Sequence, residues 1–183
     1  ILSVDLKTGE YKPQKKVVFD GFRAAKNFQS ISNRIKALAF NDDKAGKFFW
    51  EITADSLIYA ANRIPEISDD IINIDNAMKW GYGWELGPFE CWDAMGVRST
   101  VIRMKKENKK VPAWVDEMLS SGRETFYELK DGEMTYYDVL TSSVKSIKQD
   151  PNIINLNLKK TSKSRIKKDW SASLIDLGDA VLN

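Results

Sequence analysis

Residues 74–96 read IDNAMKWGYGWELGPFECWDAMG, two apolar segments with helical spacing on either side of a glycine-rich loop. The loop contains three glycines, which are Gly81, Gly83 and Gly87. Gly81 is expected to end the first helix in a left-handed conformation, because glycine adopts positive φ angles without a steric penalty. Pro88 is tolerated at the first position of the second helix, and Gly96 is expected to end it. The stretch predicts two helices that meet at a tight corner.

Two acidic residues lie inside the otherwise apolar helices of this corner. Asp75 comes shortly before Ala77 and Met78, and Asp93 follows Cys91 and Trp92. Carboxylates in such surroundings usually accept hydrogen bonds from nearby backbone N–H groups. We therefore expect Asp75 and Asp93 to bind exposed amides of the corner loop and not to transfer protons.

The corner is also rich in aromatic residues, which leaves two interpretations open. One aromatic cluster could line an apolar pocket for an acyl chain, or it could pack in a core or an interface, which is the more common use of aromatic side chains. Its members are Trp80, Tyr82, Trp84, Phe89 and Trp92. The glycine spacing is one residue longer than that of a G-x-G-x-x-G dinucleotide site, and it follows a helix instead of a strand. This spacing favours a structural corner.

On both sides of the corner, apolar residues three and four positions apart predict a helical domain over residues 15–122. Its first helical pattern, residues 22–40, has a break at Asn27 or Ser30, and residues 41–43 can cap the longest pattern. Further helix boundaries are expected at Pro65, Ser68 and Ser99. Residues 1–14 contain turn signals and few apolar residues, so we expect a linker or an edge strand there.

The pattern changes after residue 122. Residues 126–129 and 134–137 flank an Asp-Gly pair, which predicts a β-hairpin. The following residues, 139–168, carry eight Lys and Arg against one acid. We therefore interpret residues 123–168 as a hairpin with a basic connector. Residues 173–182 have a strand pattern that is expected to pair with residues 153–158 or with another chain, or to lack a fixed partner.

Composition excludes several kinds of chemistry. The 183 residues contain no histidine and one cysteine, so the chain cannot form a Ser-His-Asp triad, a Cys-His pair or a zinc site rich in His and Cys. The net charge of +2 creates no strong field for a polyanion. A single cysteine and the lack of a signal segment favour the cytoplasm, and no segment is apolar enough to span a membrane. We predict no catalytic, metal-binding or cofactor-binding residue in this chain.

The motif of residues 74–96 resembles the signature of the C-terminal helical domain of 3-hydroxyacyl-CoA dehydrogenases, which is I-D-x-A-M, G-x-G, G-P-F and D-x-x-G. The resemblance is to the second copy of this domain in multifunctional enzymes, and residues 169–183 resemble the first strands of an enoyl-CoA hydratase domain. Because the chain starts at Ile1 and stops inside a strand pattern, we expect a piece of a longer protein. The implied fold is mainly α, of the 6-phosphogluconate dehydrogenase C-terminal type, with a small β appendage.

The resemblance also implies a function. The parent enzyme would hydrate an enoyl-CoA and oxidise the resulting 3-hydroxyacyl-CoA with NAD in fatty-acid β-oxidation. The catalytic histidine and the dinucleotide loop of the family are not in this chain. This piece would then pack against the nucleotide-binding domain and shape the acyl-CoA cleft, binding no NAD and acyl-CoA at most weakly.

The resemblance assigns residues to two groups. The residues expected near the substrate are Trp80, Trp84, Leu86 and Trp92. The residues expected to form the structural motif are Asp75, Gly81, Gly83, Gly87, Pro88, Phe89, Asp93 and Gly96. Expected partners are the other domains of the parent chain, without nucleic acid, and homo-oligomerisation stays open. The alternative is a non-catalytic domain that binds a partner or nucleic acid through residues 139–168.

Overall fold

The computed structural model describes residues 1–14, 17–130, 132–148 and 165–177. Within these ranges the chain forms seven α-helices and three small antiparallel sheets, so it is mainly α, as predicted. It divides into two compact units, Ile1–Ile52 and Thr53–Asn183. This division falls inside a helix, and the boundaries expected near residues 14, 122 and 168 stay predictions.

The first unit consists of a β-hairpin followed by helices. Its elements are β1 (Leu2–Val4), β2 (Tyr11–Pro13), α1 (Asp20–Lys26), α2 (Ile31–Ala39) and the first part of α3 (Lys44–Asn62). The break predicted at Asn27 or Ser30 is confirmed, since α1 and α2 are separate helices. The predicted cap is confirmed as well, because Oδ1 of Asp43 accepts the N–H of Gly46 at 2.8 Å.

The second unit contains the corner helices. They are α4 (Ile71–Tyr82), α5 (Pro88–Met95), α6 (Val97–Lys106) and α7 (Ala113–Ser120). Pro88 begins α5 and Gly96 ends it, as predicted.

Three other helix boundaries differ from the sequence expectation. Asp70, and not Ser68, caps α4, since its Oδ1 accepts the N–H of Asn73 at 2.8 Å. The helix continues through Gly81, and Gly83 takes the left-handed conformation with φ of 68°. The helix α6 begins directly after Gly96, at Val97, and not at Ser99 as expected.

Two small sheets follow the helices. Their strands are β3 (Tyr127–Lys130), β4 (Glu133–Asp138), β5 (Ser143–Ser146), β6 (Arg165–Lys168) and β7 (Ser173–Ile175). The predicted hairpin is present, with Lys130 paired to Glu133. The last strand, β7, pairs with β6, a partner that the sequence analysis did not name. Residues 153–158, the partner expected from the sequence, lie outside the described residues.

An aromatic core fixes the β3–β4–β5 sheet to the helices of the second unit. Phe89 and Trp92 from α5 and Phe126 just before β3 are fully buried. The ring of Phe126 lies 5.1 Å from that of Phe89 and 5.3 Å from that of Trp92, measured between centroids. Burying each side chain of this size stabilises the fold by roughly 1.5–3 kcal/mol. The start of β3 is thereby held against α5, next to the corner.

Candidate functional site

The carboxylate of Asp75 caps the helix that follows the corner. Asp75 lies on α4 and is 1% exposed, and its Oδ1 accepts the N–H of Phe89 at 2.8 Å. Its Oδ2 accepts the N–H of Glu90 at 3.1 Å and the O–H of Tyr127 at 2.8 Å. Phe89 and Glu90 lie in the first turn of α5, where N–H groups have no acceptor within the helix. Asp75 therefore acts from α4 as the N-cap side chain of α5.

Gly87 makes this cap possible because it leaves room for it. A Cβ at position 87 would lie 2.3 Å from Cβ of Asp75 and 2.4 Å from its Cα. The φ angle of Gly87 is −74°, a value that any residue adopts. The need for glycine at this position is thus a need for space between α4 and α5.

Glu90 completes the hydrogen bonding of the corner. Its Oε2 accepts the N–H of Gly87 at 2.8 Å, and its Oε1 forms an ion pair with Nζ of Lys79 at 2.7 Å. Pro88 has no N–H, and the N–H of Cys91 donates to the carbonyl of Gly87 at 2.8 Å. Every backbone N–H from Gly87 to Cys91 therefore has an acceptor, which leaves this helix start with no free donor for a ligand.

Asp93 joins α5 to the sheet. Its Oδ1 accepts the N–H of Phe126 at 2.7 Å, and its Oδ2 accepts the N–H of Tyr127 at 2.8 Å. The sequence predicted that Asp75 and Asp93 bind amides, and both do. Its expectation that these amides belong to the corner loop was wrong for Asp93, whose partners begin β3.

Burial raises the pKa of both carboxyls above the ordinary value for Asp. Desolvation raises the pKa of Asp75 to about 6, although the N–H of Phe89 and the O–H of Tyr127 oppose the shift. Desolvation likewise raises the pKa of Asp93 to about 7 against the N–H groups of Phe126 and Tyr127. The pKa of the Tyr127 phenol is raised by burial and by the charge of Asp75, so at neutral pH this hydroxyl is a hydrogen-bond donor.

These pKa values lie in the range of a general acid or base, but the geometry assigns the carboxylates to structure. All four of their oxygens accept hydrogen bonds from protein groups. The thiol of Cys91 is not a nucleophile at neutral pH either, since burial and the charge of Asp75 raise its pKa to about 11. The carboxylates of Asp75 and Asp93 thus hold the elements of the corner together.

The structure separates the residues expected near a substrate. Trp92 is 0% exposed, and its Nε1–H donates to Oγ1 of Thr100 at 2.6 Å, which places it in the core. Trp80 and Trp84 are 81% and 47% exposed, and Leu86 is half-buried. Tyr82, from the same aromatic cluster, is 77% exposed. We call residues 80–84 the exposed aromatic segment.

Tyr127 and Thr100 also belong to this site, and the sequence analysis identified neither of them. Tyr127 is 52 residues from Asp75 in the chain and 34 from Asp93, so no local spacing reports the contacts. One available signal was the Phe-Tyr pair at the start of a strand. Successive strand residues point to opposite faces, so a buried Phe126 turns the next side chain away from the aromatic core.

Two further properties concern the described part of the chain. No three His, Cys, Asp or Glu side chains in residues 1–14, 17–130, 132–148 and 165–177 are grouped to hold a metal ion. None of the helices in these ranges combines the length and the apolar character that crossing a bilayer requires.

Comparison with known proteins gives three relatives. A probable 3-hydroxyacyl-CoA dehydrogenase of Bacillus subtilis strain 168 is 41% identical over 181 residues, which is 99% of this chain and 23% of that protein. Putative fatty acid oxidation complex trifunctional enzymes of Rickettsia felis and Rickettsia prowazekii are 43% and 40% identical over 58 residues, 32% of this chain and 8% of each protein. No family model and no solved structure matches the chain.

The chain is similar in sequence to proteins that are named as enzymes of fatty-acid oxidation. Almost the whole chain is similar to part of a probable 3-hydroxyacyl-CoA dehydrogenase, which confirms the resemblance seen in residues 74–96. The chain spans 23% of the length of the Bacillus subtilis relative, so that name describes a protein several times longer.

Proposed function

We propose that this chain is the helical part of a 3-hydroxyacyl-CoA dehydrogenase, in which it packs against a nucleotide-binding domain and shapes the acyl-CoA cleft. One observation carries the proposal. The N–H groups that begin α5 are satisfied internally, by Asp75 and Glu90, while Trp80 and Trp84 are exposed on the surface of the corner. A rigid scaffold with an exposed aromatic surface suits contact with an apolar chain or a neighbouring domain, and not proton or hydride transfer.

The corner loop and the start of α5 do not fit NAD. A dinucleotide site places the pyrophosphate at the N-terminus of a helix that follows a strand. Here the corner loop follows α4, and the N–H groups that start α5 are bound by carboxylates of Asp75 and Glu90. A pyrophosphate would meet negative charge where it needs donors. We therefore assign NAD to another part of the parent protein.

Oxidation of a 3-hydroxyacyl-CoA requires a base that removes the hydroxyl proton while hydride leaves for the nicotinamide. The chain contains no histidine, and the carboxylates of Asp75 and Asp93 are held by backbone N–H groups. We propose that the base also lies elsewhere in the parent protein. Hydratase activity of the parent, its cytoplasmic location, partner domains and oligomeric state belong to the same proposal.

The exposed aromatic segment is the proposed contact for the acyl chain. It begins in the last turn of α4 and continues past Gly83, whose left-handed conformation turns the chain so that Trp84 follows the helix end. Leu86 lies between this segment and the buried Gly87.

Tryptophan fluorescence of the purified chain tests the proposal. Titration with palmitoyl-CoA is expected to quench the emission saturably, whereas free coenzyme A is not. Trp84→Ala should weaken this quenching at least fivefold, while Trp170→Ala, which removes an exposed tryptophan outside the corner, should leave the affinity unchanged.

Activity assays provide the second arm. The chain is expected to show no oxidation of NADH with acetoacetyl-CoA and no saturable binding of NAD by calorimetry. Turnover that survives a control for host enzymes, or equal quenching by palmitoyl-CoA and free coenzyme A, would contradict the proposal.

The alternative function, binding of a partner or nucleic acid through residues 139–168, stays a prediction. Residues 149–164 lie outside the described residues, and the described remainder consists of β5, β6 and the residues beside β5.

A further inference from the structure

We infer that Tyr127 is the positioning residue of the corner: it bridges the carboxylates of Asp75 and Asp93 and thereby transmits the position of the β3–β4–β5 sheet to the start of α5. Its phenol O–H donates to Oδ2 of Asp75 at 2.8 Å. Its backbone N–H donates to Oδ2 of Asp93 at 2.8 Å. This link exists whatever the corner binds, and its importance for acyl-CoA rests on the proposed function.

The bonds form a continuous path from the sheet to the corner loop. Tyr127 and Glu90 share one acceptor, Oδ2 of Asp75, at 2.8 Å and 3.1 Å. Glu90 in turn accepts the N–H of Gly87, the residue that ends the loop after the exposed aromatic segment. Charge-assisted hydrogen bonds of this kind are about twice as strong as neutral ones. A change at Tyr127 therefore reaches Gly87 through two carboxylates.

The phenol hydrogen bond brings Asp75 a donor from outside α5, whereas its other two donors are amides of that helix. The amides of Phe89 and Glu90 tie Asp75 to the helix that it caps. The phenol instead ties it to a sheet that Asp93 and the ring of Phe126 hold against the same helix. The three elements α4, α5 and β3 consequently meet at the carboxylate of Asp75. At this carboxylate, the phenol hydrogen bond is the connection between α4 and β3.

The charged surroundings of Asp75 define how the link should respond to pH. From α5 it faces Glu90 and the thiol of Cys91, and from β3 it faces Tyr127. Lys79 on α4 is engaged by Glu90. The charge of Asp75 also raises the pKa of Asp93, and the charge of Arg123 lowers the pKa of Asp93. The phenol hydrogen bond lowers the pKa of Asp75, so its removal should move the titration of this carboxyl to higher pH.

Tyr127→Phe tests the inference with Tyr136→Phe as the matched control. Tyr136 pairs with Tyr127 across β3 and β4, and its pKa is raised mainly by burial. Amide hydrogen exchange of Phe89 and Glu90, followed by NMR in the 183-residue chain without ligand, should accelerate about tenfold in Tyr127→Phe relative to the amide of Val101 in α6. In Tyr136→Phe, the exchange rates of the Phe89 and Glu90 amides relative to that of the Val101 amide should stay within twofold of the parent's values.

A second readout separates positioning from general loss of stability. The carboxyl carbon of Asp75, observed by NMR between pH 4.5 and 8.5, should titrate at a higher pH in Tyr127→Phe by about half a unit or more, and at the parent value in Tyr136→Phe. Uniform acceleration of all amides, or an unchanged titration of Asp75, would overturn the inference. Since neither measurement involves acyl-CoA, failure here leaves the quenching test of the proposed function independent.

Discussion

Replacing Gly87 by alanine should open the corner. The added Cβ would lie 2.3 Å from Cβ of Asp75, whereas carbon atoms in contact are normally about 3.5–4.0 Å apart. The obstructing atoms belong to the backbone and to the first side-chain atoms of α4, so no rotamer change relieves the overlap. The helices α4 and α5 must therefore move apart by at least about 1 Å.

Such a movement breaks the cap of α5. The bonds from Phe89 and Glu90 to Asp75 are 2.8 Å and 3.1 Å long, and an added ångström takes both beyond hydrogen-bond length. A hydrogen bond to a charged group contributes about 1.5–3 kcal/mol, so the loss of two should lower the free energy of unfolding by about 3–6 kcal/mol. This is a large part of the stability of an ordinary domain.

Urea unfolding followed by circular dichroism measures the effect, with Gly81→Ala as control. Gly81 lies within α4, and a Cβ there would meet no atom within 4 Å. Alanine in place of a helical glycine stabilises by about 0.5–1 kcal/mol, so the two substitutions should change stability in opposite directions. A Gly87→Ala variant within about 0.5 kcal/mol of the parent would refute the spatial role assigned to Gly87.

Three further predictions concern the same unit. Asp93→Ala should destabilise the chain by about 1–3 kcal/mol, because two amides lose their acceptor, and a thermal melt equal to the parent's would contradict this. Thr100→Val leaves the buried indole N–H of Trp92 without its acceptor, so we expect a similar decrease in the free energy of unfolding in urea and a shifted tryptophan emission maximum. If both stay at the parent's values, water has replaced the hydroxyl and the prediction is wrong. Because burial raises the pKa of Asp75 to about 6 and of Asp93 to about 7, the folded chain binds more protons than the unfolded chain above pH 3.8. The contribution of these two carboxyls to the free energy of unfolding should be largest below pH 3.8 and should be lost as the pH rises through 6 to 7. Urea unfolding between pH 5 and 8 measures this contribution, and a free energy of unfolding that increases over this range would contradict the prediction.

Local patterns predicted the helices because each has a signal within a few residues. Asp43 stands directly before α3, and Pro88 and Gly96 bracket α5. Where two residues could serve the same purpose, the pattern did not choose between them. Gly81 and Gly83 can both adopt a left-handed conformation. The helix α4 continues through Gly81 to Tyr82, and Gly83 is the left-handed residue at its C-cap.

Contacts between residues far apart in the chain could not be predicted from the sequence, for a different reason. The residue types of Asp75 and Asp93 indicated that they bind backbone amides, but not which amides. The partners of Asp93 lie 33 and 34 residues further along, where packing of Phe126 against α5 brings them within reach. The burial of Trp92 is likewise a property of the assembled core and not of its neighbours in the chain.

The cap that Asp75 supplies from a neighbouring helix bears on the order of folding. With eight residues and a glycine at its N-cap, α5 is too short to persist in water by itself, since isolated helices need about 12–15 residues. Its first-turn donors find acceptors only after α4 has docked. The two helices should thus form as one cooperative pair in the transition state. Destabilising Asp75→Asn or Gly87→Ala variants should slow refolding more than they accelerate unfolding, as measured by stopped-flow mixing.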